Sequence, residues 1–171
     1  SPIALNLIVY DASAGSVYTI FVLDDRSAAV AGSINSVLNG YKGHFAIDRN
    51  NLSDGVNARQ TITEVVDLGG NLIPAPKFWK VYAGVESSSG FGEMHSVFID
   101  MNGNIYASGY NSFGQLCLGD EASREFANQI SLPSNERAVA AAVGIEFTLI
   151  VTANGKLYGC GRNNFGQLGL G

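Results

Sequence analysis

Short apolar runs separated by clusters of glycine, asparagine and serine set the pattern of this chain: YTIFVL from Tyr18, SVFI from Ser96 and TLIV from Thr148. Each run is too brief for a helix and is bounded by turn residues, so it predicts a β-strand. The runs are apolar on successive residues rather than on alternate ones. Both faces of such a strand must be covered, as when a small sheet is sandwiched between neighbouring sheets.

The pattern recurs. Residues 95–119 (HSVFIDMNGNIYASGYNSFGQLCLG) align without a gap on residues 147–171 (FTLIVTANGKLYGCGRNNFGQLGLG), 52 positions further on. Identities include Asn102 with Asn154, Tyr106 with Tyr158, Gly109 with Gly161, and FGQL from Phe113 with FGQL from Phe165. Upstream, VYAGVE from Val81 answers to AAVGIE from Ala141, with roughly Ser87 to Met94 (SSSGFGEM) inserted in the earlier copy. A worn third copy opens the chain: GSVYTIFVL from Gly15 matches GIEFTLIVT from Gly144, with Arg26 at the position of the turn glycine.

Each unit reads as a hairpin plus an exit loop. Asn102-Gly103 and Asn154-Gly155 predict tight type I′ turns, which need positive φ at both central residues. The strand after the turn ends in small residues, Gly109 and Gly161, where neighbouring backbones can approach. In the exit loop the amides of Gln115 and Gln167 can bridge backbone groups as donor and acceptor. These eight residues are assigned structural roles.

In these features the chain resembles the regulator-of-chromosome-condensation repeat, carried here by His95-Ser96, the apolar strand, the Gly-x-Ile/Leu-Tyr turn and strand, and the Asn-x-x-Gly-Gln-Leu exit. The resemblance implies an all-β fold of propeller blades: about three repeats, forming an incomplete ring or part of a larger six- or seven-bladed propeller. Residues 1–171 are expected to be a single propeller segment. Repeat 1 spans about 5–43 and is degenerate, an insertion about 41–72, repeat 2 about 76–120 and repeat 3 about 136–171.

Three blades cannot close a ring, because propellers have at least about four. Open strand edges are then expected to pair with a neighbour. Two copies joined head to tail would give a six-bladed ring, or a fibre if the rotation does not close. Ile130–Pro133 is expected to add a further strand to the second unit, Ser1–Leu5 has the character of the strand missing from the last, and EASREFANQ from Glu121 is expected to form one or two helical turns.

Composition narrows the function. A hydrophobic share of 46% suffices for a core, while charged residues make up 15% and the formal net charge is -5. The basic footprint of a direct nucleic-acid binder is missing, and no apolar run approaches a membrane span. Cys117 and Cys160 lack metal or CxxC spacing and read as small apolar packing residues rather than a bridge. Asp48–Gly55 fails the calcium-loop spacing, and Asn51 is a formal glycosylation acceptor. Neither a metal nor a cofactor is expected.

Contacts are expected in the departures from the repeat, since inserted loops on a rigid scaffold carry function. The candidate partner residues are Ser87, Ser88, Phe91 and Glu93 in the short insertion, His44 in the long one, and Trp79. His95 faces Phe147 in the other copy, which argues for a structural histidine. The reading is a non-enzymatic protein-binding or self-assembling module that takes a protein partner or a second copy. The resemblance also implies two alternatives, guanine nucleotide exchange on a small GTPase and inhibition of an enzyme.

Overall fold

A computed structural model describes residues 8–16, 18–32, 60–85, 94–133 and 136–169. Among them lie thirteen strands in three sheets and no helix. The first sheet holds β1 (Val9–Ala14), β2 (Tyr18–Leu23), β3 (Ala28–Gly32) and β4 (Gln60–Thr61) in that spatial order. β5 (Glu64–Val66) and β6 (Leu72–Pro74) form a hairpin. It adds to the outer edge of a second meander of β7 (Phe78–Ala83), β8 (His95–Asp100), β9 (Ile105–Gly109) and β10 (Arg124–Gln129), through a single parallel pairing of Val66 with Asn128. The third sheet is β11 (Ala138–Val143), β12 (Phe147–Thr152) and β13 (Leu157–Gly161).

The sheets are blades that stack face against face. Tyr18, Ile20 and Val22 of blade 1 meet Val81, Phe98 and Tyr106 of blade 2 in one apolar cluster. Val97, Ile99, Ile105 and Leu116 of blade 2 meet Ala138 and Ile150 of blade 3 in another. Every residue of β8 is buried, because odd positions face one neighbour and even positions the other. Burying one such Phe, Ile or Leu side chain stabilises by about 1.5–3 kcal/mol.

All three innermost strands carry a register shift at the same place, between Val9 and Asp11, Phe78 and Lys80, and Ala138 and Ala140. The extra residue, respectively Tyr10, Trp79 and Val139, is thereby re-aimed.

The hairpin turns are not type I′. Asn102 and Asn154 lack positive φ, which is confined to Gly103 (82°) and Gly155 (76°). The amide of Gly103 donates to Asp100 O at 3.1 Å and that of Asp100 to Asn104 O at 2.9 Å, giving a type I turn closed by a left-handed residue in a G1 bulge. The same pair of bonds recurs at Leu23–Ser27, Asp67–Asn71 and Thr152–Lys156, with Arg26 (φ 65°) in the glycine's place in the first. In blade 2 the Asp100 carboxylate accepts from the amides of Asn102 and Asn104, which fixes Asn102 outside the left-handed region.

Two further expectations are corrected. Arg124–Gln129 is the outer strand β10, not a helical turn: its amides find partners on β9, with Asn128 opposite Ala107 and Gln129 opposite Tyr106. Ile130–Pro133 is not a separate strand; only Ile130 extends the ladder, donating to Ile105 O at 2.8 Å. Ser1–Leu5 lies outside the described residues.

Candidate functional site

The chemistry of this chain is concentrated where blades meet. Between blades 1 and 2, side chains of β1 and β2 satisfy the edge amides of the next inner strand. Asp11 Oδ2 accepts from Val81 N, Ser13 Oγ from Ala83 N, and the Tyr18 hydroxyl from Gly84 N at 3.0 Å. The same hydroxyl donates toward His95 O and shares a 3.0 Å bond with Ser96 Oγ. Burial pushes the Tyr18 phenol up to about 12, so it stays a neutral donor.

His95 occupies the corresponding place in blade 2 and reaches blade 3. Thr148 Oγ1 donates to Gln115 O at 2.8 Å, so it must accept the 2.7 Å bond from His95 Nε2, which fixes the Nε2-protonated tautomer. Burial holds the imidazole neutral, with its pKa lowered to about 4. A buried neutral histidine held at an interface is a structural group, and its counterpart Phe147 needs no base.

The exit loop of blade 2 tucks beneath blade 3. Gln115 is fully buried, with Oε1 accepting from Phe113 N at 3.0 Å, and Gln167 repeats that bond to Phe165 N at 2.9 Å. The Arg162 guanidinium, paired to Glu146 at 2.6 Å, lies 5.2 Å from the Phe113 ring centroid across the same seam. Gly161 leaves room for the Gln115 side chain, whose Cβ is 3.1 Å from where a Cβ at 161 would stand.

Cys117 and Cys160 form a disulfide, with Cα atoms 5.4 Å apart, contrary to the packing role expected of them. It joins the exit loop of blade 2 to the third strand of blade 3. The two residues are remote in sequence and meet only because one blade's loop crosses to the next. A signal existed: Cys117 stands where the later copy has Gly169, and Cys160 where the earlier copy has Ser108. Cys117 accordingly keeps the left-handed backbone of that glycine, φ 57° against 68° at Gly169.

The far face of blade 3 is open. Ile99 and Ile105 are fully buried, whereas their equivalents Val151 and Leu157 are 37% and 59% exposed. Phe113 is 38% exposed and its equivalent Phe165 is 87% exposed. Sequence reasoning missed these residues as surface, because a strand apolar on both faces carries no mark of which face lacks a neighbour.

Trp79 is the bulge residue of β7, half-buried against the second cluster, with Lys80 Nζ 4.8 Å from its ring centroid. His44, Ser87, Ser88, Phe91 and Glu93, like Asn51 and Asp48–Gly55, lie outside the described residues.

Comparison with known proteins fits this geometry. A family model described as Regulator of chromosome condensation (RCC1) repeat matches residues 102–151, and a second of the same description matches residues 138–167. The X-linked retinitis pigmentosa GTPase regulator of Canis lupus familiaris is 38% identical over 80 residues, 47% of this chain and 8% of that protein. Human Protein RCC2 is 38% identical over 108 residues, 61% of this chain and 20% of that protein. Yeast RCC1 (Prp20), solved with Kap60 bound, superposes with a TM-score of 0.63 at 18% identity, over 95% of this chain and 32% of that one. The chain thus spans a fifth or less of the length of these curated relatives and about a third of that solved propeller.

Proposed function

We propose that this chain, which carries repeats of the regulator-of-chromosome-condensation (RCC1) family over residues 102–167, is a non-enzymatic protein-binding or self-assembling propeller module. The observation that carries this reading is the open apolar face of blade 3, whose equivalent in blade 2 is a covered, bonded interface. Contiguous exposed apolar surface on a rigid sheet marks a binding site. Yeast RCC1 bound to Kap60 supports the reading as an instance of a related propeller that takes a protein partner. Further contacts are assigned to the insertion residues Ser87, Ser88, Phe91 and Glu93, to His44, and to Trp79 on its bulge.

Light scattering behind size exclusion at micromolar concentration tests the assembling form, and a well-folded monomer counts against it. The names of several relatives motivate a second assay, nucleotide release from a small GTPase. Acceleration by this chain would replace the binding reading with nucleotide exchange.

A further inference from the structure

We propose that the seam between blades 2 and 3 is a redox-gated joint, shut while Cys117 and Cys160 are bridged and free to part when a dithiol reduces them. This goes beyond the binding reading and needs no partner protein. Both cysteines of the chain lie on this one seam, one on each side of it. Ser108 holds the place of Cys160 in blade 2, so no bridge crosses the seam between blades 1 and 2.

Without the bridge the two seams are held unequally. Between blades 1 and 2, Asp11 and Ser13 of β1 accept from the amides of Val81 and Ala83. By the shared register shift, Lys80 and Tyr82 of β7 stand in those two places. An ammonium accepts no hydrogen bond. Of this pair only the Tyr82 hydroxyl can serve the edge of β11, accepting from Ala141 N.

The polar groups buried between blades 2 and 3 are also incompletely matched. Among the described residues, His95 Nδ1, Gln115 Nε2 and Arg162 Nε are buried without a hydrogen-bond partner. In the place of His95, Tyr18 of blade 1 instead engages Gly84 N, His95 O and Ser96 Oγ through one hydroxyl. Each unmatched atom gains a hydrogen bond to water once the seam parts, which favours opening. Cys117 adds to that bias, because it holds at φ 57° a left-handed backbone that its counterpart Gly169 adopts freely.

A reductant can reach the bridge: both cysteines are half-buried, and Gly119 and Asp120 beside them are exposed. One thiolate of the dithiol attacks a bridge sulfur and displaces the other, and the second thiolate then displaces the sulfur first attacked. Two electrons and two protons pass from the dithiol to the protein, and the dithiol leaves as its own disulfide. The parted seam bares Val97, Ile99, Ile105 and Leu116 on one side and Ile150 on the other.

Amide hydrogen exchange resolved by residue, with and without dithiothreitol, tests the joint on the intact chain. Alkylation and mass should show the bridge reduced while the β-type circular dichroism persists. Ala138 N, which donates to Gly103 O across the seam, and Ala141 N should then exchange at least about tenfold faster, while Phe78, Val81 and Ala83 N on the other seam keep their rates. Cys117→Gly combined with Cys160→Ser installs the residues of the matching places, Gly169 and Ser108. That variant should exchange fast at Ala138 without reductant and ignore its addition. Unchanged rates at Ala138 and Ala141 in the reduced chain overturn the joint. So does an equal acceleration at both seams, which makes the bridge a staple of the whole fold. A bridge that yields to the dithiol only in unfolded chain, or a response that persists in the double variant, also overturns it.

Discussion

Breaking the bridge between Cys117 and Cys160 separates two effects that the structure superimposes. The bridge ties residues 43 apart in sequence, which on the chain-entropy relation removes about 13 cal/mol/K from the unfolded ensemble, or about 4 kcal/mol at 25 °C. Against this, Cys117 is held at φ 57°, a conformation costing a non-glycine residue about 1–2 kcal/mol. Cys160→Ser loses the bridge and keeps the strain, so it should lower stability by about 4 kcal/mol. Cys117→Gly loses the same bridge but relaxes the backbone, and should be about 1 kcal/mol more stable than Cys117→Ser. Urea titration reads both differences: at a slope of about 2 kcal/mol/M the bridge is a midpoint shift of about 2 M, and a reductant should reproduce it in the wild type. Equal midpoints for wild type and Cys160→Ser would refute the bridge. Equal midpoints for Cys117→Gly and Cys117→Ser would refute the strain.

Three other outcomes follow from the seams and turns. His95 has its folded pKa lowered by burial to about 4, below the unfolded value of about 6.5, so the unfolded state binds the extra proton between these values. Its contribution is complete above about pH 6.5 and is lost as pH falls toward 4, by about 3 kcal/mol in all; His95→Phe should flatten that part of a stability–pH curve. Gln115→Ala, which strips a buried side chain from a seam, should cost about 1–3 kcal/mol, and Gln167→Ala in the uncovered loop clearly less, by denaturant midpoint. Gly155→Ala meets only the left-handed backbone cost of about 1–2 kcal/mol, whereas Gly103→Ala also drives a methyl to within 2.7 Å of Arg137 Cβ and should melt at lower temperature.

The blades were legible because the repeat copies the whole physical unit: an apolar strand, a glycine-closed turn, a small-residue strand end and a Gln exit loop. Arg26 in the glycine's place was visible as a departure and sits at φ 65°. The turn type was not legible, because Asn-Gly serves both a two-residue turn and a G1 bulge; in blade 2 the Asp100 carboxylate gathers two amides in the second form, and in blade 3 Thr152 closes the same turn without a carboxylate of its own. Residues 121–129 (EASREFANQ) suit a helix by their Glu, Ala, Arg and Gln, while the pairing of β10 with β9 decides otherwise. The disulfide was hidden because it joins two repeats rather than closing one. The open face was hidden because Leu157 and Ile105 look alike in sequence, and only the neighbour beyond them differs.

The proposed function turns on whether the far face of blade 3 takes a partner, which in the assembling form is a second copy. The most direct measurement is the rate at which a thiol reagent modifies Leu157→Cys, a position 59% exposed in the single chain, as protein concentration is raised with the native bridge intact. The rate should fall as copies associate and approach that of a buried thiol. A rate independent of concentration, in a chain that light scattering shows to be associated, would contradict it.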